Sequence, residues 1–263
     1  MTDTAVSSLI DAPAEQSVLP DLVRSEWAKF RTVRSTYWSL IAAVAAMVGL
    51  GAIISSAQSG HQAGFDPVST SLSGVLLAQL AIGVLGVLFV TSEYSTGMIR
   101  TTFTAAPQRR SVIGAKAAVF AVVALVVGTI TSLVTFVVGQ AILGTRGVSL
   151  TSPGALRSVI GVGLYLGLLG VFAVGLGTII RSTAGAIASL FGLILVLPAI
   201  AAALPASIRD SVDKYLPGNA GQAIFHTIRD TSTLSPWAGL GVFALYAAAA
   251  LGAGLFLVGR RDV

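Results

Sequence analysis

The chain has 263 residues, of which 54% are hydrophobic and only 10% are charged, and its mean hydropathy is +0.87. A soluble domain carries roughly 25% charged residues, so this composition excludes a soluble globular protein and favours a membrane protein. With no cysteine, the chain has no disulfide framework, thiol nucleophile or cysteine metal site. The net charge of +5 does not indicate a nucleic-acid partner, because the basic residues flank apolar segments, where anionic lipid headgroups explain them better.

The beginning of the chain divides into a polar tail and an amphipathic segment. Residues 1–19 lack the basic start, apolar run and cleavage site of a secretory signal, and we interpret them as a short disordered cytoplasmic tail. Residues 20–37 place apolar side chains at helical spacing with basic side chains among them, which predicts an amphipathic helix on the membrane surface. Its candidate site residues are Trp27, Phe30, Arg31 and Arg34. An anchor to lipid alone and an added contact with a partner both remain open.

Six apolar stretches follow, each close to the 20 or so residues that cross a hydrocarbon core of about 30 Å. Their approximate bounds are Trp38 to Ala57, Leu72 to Val90, Ala117 to Leu143, Val159 to Ile180, Ala184 to Leu204 and Trp237 to Val258, and none contains Asp, Glu, Lys, Arg or His. The sequence therefore predicts an all-α integral membrane protein. Residues 38–263 form its transmembrane domain of six helices, with both termini on one side.

The distribution of Lys and Arg predicts which side that is. Eleven of the sixteen basic residues fall on the side of the termini and five on the other. Cytoplasmic loops carry the excess of positive charge, so both termini are predicted to be cytoplasmic. The richness in Ala, Gly and Val without Cys suits a bacterium, and the plasma membrane is the expected location of this multi-pass protein.

Residues 205–236 form the one long external segment. Two short helices are predicted in it, Ala206 to Leu216 and Asn219 to Arg229, with Pro217-Gly218-Asn219 as the breaker between them. Such a pair can dip into the outer leaflet if neighbouring helices cover its backbone. A folded external cap is the alternative, and the sequence does not decide between the two.

The chain offers no groups for catalysis or for an ion path within its spans. His61 and His226 are isolated, whereas a metal site needs three or four ligands, and no phosphate-binding loop pattern for ATP occurs. We therefore expect no catalytic residue, no metal site and no cofactor in this chain, and an energy source outside it. The Gly163/Gly167 and Ala250/Gly254 pairs have the spacing of helix contacts, but 29 glycines produce such pairs readily.

The stretch EYSTGMIRTTFTAAPQRR, Glu93 to Arg110, interrupts the apolar pattern between the second and third spans. Glu93 is the only acidic residue between Asp66 and Asp210, so it needs a partner at the membrane boundary. After it, Met98, Ile99, Thr102, Phe103 and Ala106 fall at helical spacing, Pro107 stops the helix, and Arg109, Arg110 and Lys116 lead into the third span. This pattern predicts a short amphipathic helix parallel to the membrane on its cytoplasmic side.

In this order and spacing, Glu93, Gly97, Pro107, Arg109, Arg110 and Lys116 resemble the same loop in permease subunits of ABC-2 type exporters. The resemblance extends over nearly the whole architecture. It implies that Glu93 to Arg110 is a coupling helix that contacts a separate ATPase. The implied contact residues are Glu93, Gly97, Met98, Ile99, Phe103, Pro107, Arg109, Arg110 and Lys116. One departure is that Gly97-Met98 replaces the usual Gly-Thr.

The resemblance further implies a complex of two permeases, identical or sister chains, with two ATPase subunits that bind ATP and Mg. Its function would be the export of a substrate, and the uncharged spans favour a lipophilic or amphipathic one such as a drug, a lipid or a peptide-like molecule. Two alternatives remain open. One is a non-transporting anchor or assembly protein that recruits a cytoplasmic partner, and the other is a secondary transporter, which the absence of an intramembrane carboxylate disfavours.

Overall fold

The computed structural model describes residues 18–32, 34–58, 65–105, 108–205, 209, 211–228 and 233–260. These residues are helical nearly throughout, with no strand among them. The α-helices are α1 (Val18–Thr32), α2 (Arg34–Ala57), α3 (Pro67–Ser71), α4 (Val75–Ser95), α5 (Met98–Ala105), α6 (Arg109–Leu143), α7 (Ala155–Ile180), α8 (Thr183–Phe191), α9 (Leu197–Ala202), α10 (Pro217–Gln222) and α11 (Pro236–Arg260). The 3₁₀-helices are Leu72–Gly74, Gly144–Arg146, Asp213–Tyr215 and Ala223–Phe225, and a π-helix, Gly192–Val196, joins α8 to α9.

Six helical stretches among the described residues are long and apolar enough to cross a membrane. They are Thr36–Ala57, Pro67–Ser95, Arg109–Arg146, Ala155–Ile180, Thr183–Ala202 and Pro236–Arg260. The predicted class, an all-α protein with six candidate membrane-spanning helices, is therefore confirmed. An apolar helix satisfies its own backbone hydrogen bonds, which is why such sequences form helices in a solvent that cannot bond to them.

Helix α7 is the most buried of the six and lies at the centre of the bundle. Its glycines let neighbouring helices approach closely: a side chain at Gly163 would overlap Oγ1 of Thr129 in α6. On another face, a Cβ at Gly175 would lie 2.7 Å from the backbone of Ala250 in α11, and one at Gly254 would lie 3.1 Å from Thr178. The two small-residue pairs that the sequence could not distinguish from chance thus both lie at helix contacts.

The start of the third helix of the bundle differs from prediction. The structure describes α1 over Val18–Thr32 and α2 over Arg34–Ala57; residue 33 lies outside the described residues, so the end of the predicted amphipathic helix at residue 37 stays a prediction. Helix α6 begins at Arg109, not at Ala117, because the polar residues before the apolar stretch continue the same helix. The predicted disordered tail, as far as residue 17, lies outside the described residues.

The long segment before the last span departs most from prediction. Pro217-Gly218-Asn219 is the first turn of α10 and not a breaker, since a proline at the first helical position has no N–H to leave unpaired. The helix and the 3₁₀ turn after it end at Phe225, so the predicted helix Asn219 to Arg229 is wrong in both bounds. In the other predicted helix, Ala206 to Leu216, residues 206–208 and 210 lie outside the described part, and a 3₁₀ turn occupies Asp213–Tyr215.

This short-helix segment, residues 216–228, packs between the spans rather than above them. Ala220 and Ile224 are fully buried, and a side chain at Gly221 would overlap the ring of Tyr165. Tyr165 lies ten residues into α7, about 15 Å along the helix axis at 1.5 Å per residue. These are contacts of the kind that a segment dipping between neighbouring helices makes, and the position of the segment relative to the membrane stays a prediction.

The described helices define two ends of the bundle. Helices α1 and α5, the first turn of α6 and the last turn of α11 lie at one end, which we call the terminal face; there a Cβ at Gly259 would stand 2.9 Å from Nη2 of Arg110. Helix α3, the turn Gly144–Arg146 and the short-helix segment lie at the other end, the opposite face. There Asp66 bonds to Thr227, whose side chain also lies close to Gly154.

Candidate functional site

Aromatic packing holds helix α1 against the bundle at the terminal face. Phe30 is 5% exposed, and its ring centroid lies 5.7 Å from that of Phe89 in α4 and 6.5 Å from that of Phe120 in α6. Trp27 stacks on Phe30 with a centroid distance of 6.2 Å but remains half exposed. Helix α1 therefore buries one aromatic face, as its amphipathic pattern predicts.

Four charged side chains from three helices meet beside this aromatic contact and form the ion cluster, which comprises Glu26, Lys29, Glu93 and Lys116. Nζ of Lys116 donates to Oε2 of Glu26 at 2.6 Å and to Oε1 of Glu93 at 2.9 Å. Nζ of Lys29 donates to Oε1 of Glu26 at 2.7 Å and to Oε1 of Glu93 at 3.2 Å. The cluster joins α1, α4 and α6, and its formal charges cancel.

Burial makes this cluster energetically demanding. Glu26, Glu93 and Lys116 are each at most 3% exposed, and removing such charges from water costs several kcal/mol per ion, which only close pairing offsets. The ammonium of Lys116 also lies 4.5 Å from the ring centroid of Phe89, a favourable cation–π position. Oε2 of Glu93 is buried and makes no hydrogen bond to the described residues. The arrangement is stable only while all three helices keep their places.

Lys29 is the one member of the cluster with substantial solvent access. Burial lowers its pKa, but hydrogen bonding and charge attraction from Glu26 and then Glu93 outweigh burial, and the net pKa is raised. The ammonium is therefore charged throughout the physiological range. Its contribution to folding stability is complete below the ordinary pKa of lysine and is lost only as the pH rises through the raised value.

A tight turn connects the cluster to the short helix α5. Helix α4 ends two residues after Glu93, and Gly97 follows with φ of +71°, in the left-handed region that favours glycine. Helix α5 then places Ile99, 2% exposed, against the bundle and leaves Met98 48% exposed at the surface. The predicted short helix between the second and third spans is present, with an anchored residue and an outward-facing apolar residue side by side.

The other predicted site residues are distributed over the terminal face. Arg31 and Arg34 are exposed, Arg110 is exposed, and Arg109 is half-buried. Arg109 and Arg110 line an open depression together with Gly259. Phe103 belongs to α5, but its side chain and the whole of Pro107 lie outside the described residues. The structure thus brings Glu93 and Lys116 together in the ion cluster. The four arginines do not belong to that cluster.

Sequence reasoning missed Glu26 and Lys29 as members of the site. It did recognise that Glu93 needs a partner, and the structure supplies two lysines. The signal available was the i,i+3 pair of Glu26 and Lys29, each directly before an aromatic residue, Trp27 and Phe30, which places a carboxylate next to the aromatic face of the helix. The contact between Glu26 and Lys116 spans 90 residues of sequence, and helical periodicity does not reveal contacts at that separation.

The ion cluster holds helices α1, α4 and α6 together. No group of three or more His, Asp or Glu side chains that could hold a metal ion occurs among the described residues. His226 bonds through Nδ1 to Oγ of Ser69 at 3.0 Å on the opposite face, and His61 lies outside the described residues. What the geometry can do is transmit a displacement of α5 and the end of α4 to α1 and α6, because charge-assisted hydrogen bonds join them.

Six helices long and apolar enough to cross a membrane define a multi-pass membrane protein, with the short helix α5 following the second of them. Comparison with known protein families also indicates a membrane protein. The model of the ABC-2 family transporter proteins matches residues 22–199, more than half of the chain, and the protein belongs to that family. The match covers α1 through the beginning of α9 and therefore includes the ion cluster and α5. No curated protein matches the chain.

Proposed function

We propose that this chain is the permease subunit of an ATP-driven exporter, in which a separate ATPase drives a lipophilic or amphipathic substrate out of the cytoplasm. Two permeases, identical or sister chains, assemble with two ATPase subunits. The terminal face is cytoplasmic in this proposal, because the sequence assigns eleven of the sixteen Lys and Arg residues to the side of the termini. The observation that carries the proposal is the position of helix α5. A tight turn joins α5 to α4, and Glu93 near the end of α4 bonds to Lys29 of α1 and Lys116 of α6.

Helix α5 is suited to receive mechanical work from a docked ATPase. Ile99 anchors it to the bundle, while the exposed side chain of Met98 offers an apolar contact to a partner. A push on α5 reaches Glu93 through the four residues that separate Glu93 from Met98. Since breaking one buried ion pair is strongly unfavourable, the three helices that share the cluster move together rather than separately.

The arginines at the start of α6 suit an acidic partner surface. Arg110 is exposed at the rim of the depression that also involves Gly259, and Arg109 lies beside it. Charged residues at the rim of an interface mainly guide association and set its orientation. In this arrangement Met98 supplies the apolar contact, and the arginines favour an acidic margin on the ATPase or lipid headgroups between the two proteins.

The lining of the bundle supports the proposed substrate class. A hollow under α1, between α2 and α4, is lined by apolar and aromatic side chains with hydroxyl groups among them: Phe30, Thr36, Ser39, Leu85, Leu88, Phe89, Ser92 and Phe120. A mixture of apolar wall and hydroxyl groups suits an amphipathic molecule. It suits a small hydrophilic ion poorly, since the described residues that line the hollow include no carboxylate or basic side chain.

The test is reconstitution with an ATPase that carries a Walker motif and is encoded beside the permease. The purified complex in lipid nanodiscs should hydrolyse ATP in a lipid-dependent manner, and proteoliposomes should accumulate or expel a fluorescent amphiphile only with ATP. An assembled complex whose ATP hydrolysis never moves a substrate would favour the non-transporting anchor. Movement that requires an ion gradient and ignores ATP would favour the secondary transporter.

Docking on α5 and on the start of α6 is tested by variants of the terminal face. Met98→Asp, and Arg109→Glu with Arg110→Glu, should reduce the recovery of the ATPase with the permease at least tenfold, because an interface loses an apolar contact or acquires like charges. Arg24→Gln is the matched control, since Arg24 is exposed on α1 and only pairs at 3.7 Å with the exposed Asp21. Recovery equal to that of the control would remove α5 from the interface.

A further inference from the structure

The hollow under α1 continues along the bundle as an open groove between α2 and α4. Ser39, Leu85 and Leu88 line both the hollow and the groove, so the two form one continuous space. The groove adds aliphatic side chains: Ala42, Leu80, Ala81 and Val84. From Ser92 to Leu80 the wall that α4 provides is about 18 Å long at 1.5 Å per residue. One leaflet of a hydrocarbon core of about 30 Å is about 15 Å thick, so the space has the length of one acyl chain.

The two ends of this space differ in polarity. The hydroxyl groups of Thr36, Ser39 and Ser92 lie at the end beside the terminal face, whereas the groove ends among alanine, leucine and valine side chains. None of the described residues that line either part is charged. The space therefore suits an amphipathic molecule with one apolar chain, whose head group lies beside the hydroxyls.

Three phenylalanine rings from three helices form the wall of the hollow next to the ion cluster. The ring centroids of Phe89 in α4 and Phe120 in α6 lie 5.6 Å apart, at an interplanar angle of 30°. The ring of Phe30 in α1 meets both of them edge to face, at 5.7 and 6.5 Å. Since all three side chains line the hollow, a molecule in it lies against the same three helices that the ion cluster joins.

Phe89 belongs to this wall and also contacts the ion cluster. Nζ of Lys116 lies 4.5 Å from its ring centroid, while Phe30 and Phe120 take no part in the cation–π contacts of the described residues. The same ammonium donates to Glu26 and Glu93. The attraction between an ammonium and a ring requires the ammonium to lie over the ring face, so a movement of the Phe89 ring changes what holds Lys116.

We propose that Phe89 is the positioning residue by which an amphipathic substrate in the hollow acts on the ion cluster and on helix α5. The proposal rests on the proposed exporter function and adds the contact through which ATP hydrolysis responds to the substrate. A chain against the aromatic wall displaces the Phe89 ring from Lys116, because a close-packed wall does not take up an added molecule without moving. Lys116 then holds Glu93 less firmly, and α5, which follows Glu93 by a tight turn, becomes free to move.

Hydrogen exchange of the purified permease tests this contact without an ATPase. The probe is palmitoyl-lysophosphatidylcholine, a single-chain amphiphile, added to the permease in lipid nanodiscs. The α5 amides of the unchanged protein should then exchange about threefold to tenfold faster, the range expected when one cation–π contact is lost. No change of α5 exchange in the unchanged permease would overturn the proposal.

Two variants at position 89 separate the ring from its bulk. Phe89→Leu keeps an apolar wall without a ring face, so the probe should no longer alter the exchange of α5. Phe89→Tyr keeps the ring and should respond to the probe as the unchanged protein does. A merely structural role would shift the exchange of Phe89→Leu equally with and without the probe, and a probe response that survives in this variant would contradict the assignment.

The neighbouring residue Leu88 provides the matched control in the complex with the ATPase, because it lines the same hollow without a ring. Leu88→Ala should raise the probe concentration that half-stimulates ATP hydrolysis and should keep the maximal stimulation. Phe89→Leu should abolish most of the maximal stimulation while shifting the half-stimulating concentration by less than about threefold, the pattern of a residue that acts after binding.

The outcomes distinguish this inference from the exporter function. A complex that transports with ATP, and whose stimulation is as large in Phe89→Leu as in the unchanged permease, would remove the role of Phe89 and leave the exporter standing. Equal losses of maximal stimulation in Leu88→Ala and Phe89→Leu would assign the response to the shape of the hollow and overturn the role of the ring. A complex without ATP-driven transport of any amphiphile would remove the exporter function and this inference with it, even if the exchange of α5 still responds to the probe.

Discussion

Lys116 is the residue on which the ion cluster depends most, because its ammonium is 1% exposed and donates to both Glu26 and Glu93. Lys116→Met keeps most of the volume of the side chain and leaves two buried carboxylates with Lys29 alone. We expect a loss of about 3–5 kcal/mol in the free energy of unfolding, the usual cost of breaking a buried pair. The measurement is thermal or denaturant unfolding of the purified permease in a mild detergent.

The control for that measurement is Arg24→Gln, which removes a pair whose side chains are 83% and 78% exposed. An exposed pair contributes little, so the unfolding midpoint should stay where it is in the unchanged protein. If Lys116→Met unfolds at the same midpoint as this control, the cluster does not hold the three helices together.

Gly97 tests the turn between α4 and α5 independently of charge. Its φ is +71°, and a Cβ there would meet no atom within 4 Å, so substitution adds backbone strain without a clash. Gly97→Ala should destabilise α5 locally by about 1–2 kcal/mol, whereas Gly97→Asn should cost less because Asn tolerates this conformation. Hydrogen exchange of the α5 amides should be fastest in Gly97→Ala. Equal exchange in all three proteins would mean that the turn does not set the position of α5.

At the scale of the helices, the sequence predicts the spans well because crossing a membrane imposes length and hydropathy on a local stretch of chain. It predicts boundaries less well, since Arg109 to Lys116 are helix-compatible residues whose polarity hid the beginning of α6. It failed at Pro217, where one residue type ends helices in one context and starts them in another. The ion cluster was not predicted as such. Glu93 and Lys116 were named only as ATPase contacts implied by the family resemblance, and Glu26 points inward only in the folded bundle.

The contact between α6 and α7 gives a prediction at this scale. A methyl group at Gly163 would overlap Thr129 and lie 2.9 Å from the carbonyl oxygen of Leu125, so Gly163→Ala must push the helices apart. We expect a cost of about 1–3 kcal/mol, as for other overpacked interiors, seen as a lower unfolding midpoint.

Gly241→Ala is the matched control for Gly163→Ala. Gly241 also lies within a long helix, α11, but a Cβ there meets nothing within 4 Å. That change should leave the midpoint unchanged or raise it slightly, since Ala favours helix over Gly by up to about 1 kcal/mol. A similar loss in both variants would point to a general effect of replacing glycine and not to the close approach of α6 and α7.

At the scale of the whole molecule, the proposed function depends on which face of the bundle meets the cytoplasm. The terminal face has α5, the ion cluster and most of the basic residues, while the opposite face has the short-helix segment. An ATPase is reached only from the cytoplasm, so α5 works as a docking site in one orientation alone. The orientation rests on charge counting, which is a statistical rule about insertion and not a contact in the folded protein.

Single thiols test the orientation, because the chain provides a background free of cysteine. Ser95→Cys introduces a thiol at an exposed position of the terminal face, and Tyr215→Cys introduces one at an exposed position of the opposite face. An impermeant maleimide added to intact cells should label Tyr215→Cys and should reach Ser95→Cys only after the membrane is opened. The reverse pattern would place α5 outside the cell, where no ATPase can use it, and transport driven through the ion cluster would then be impossible.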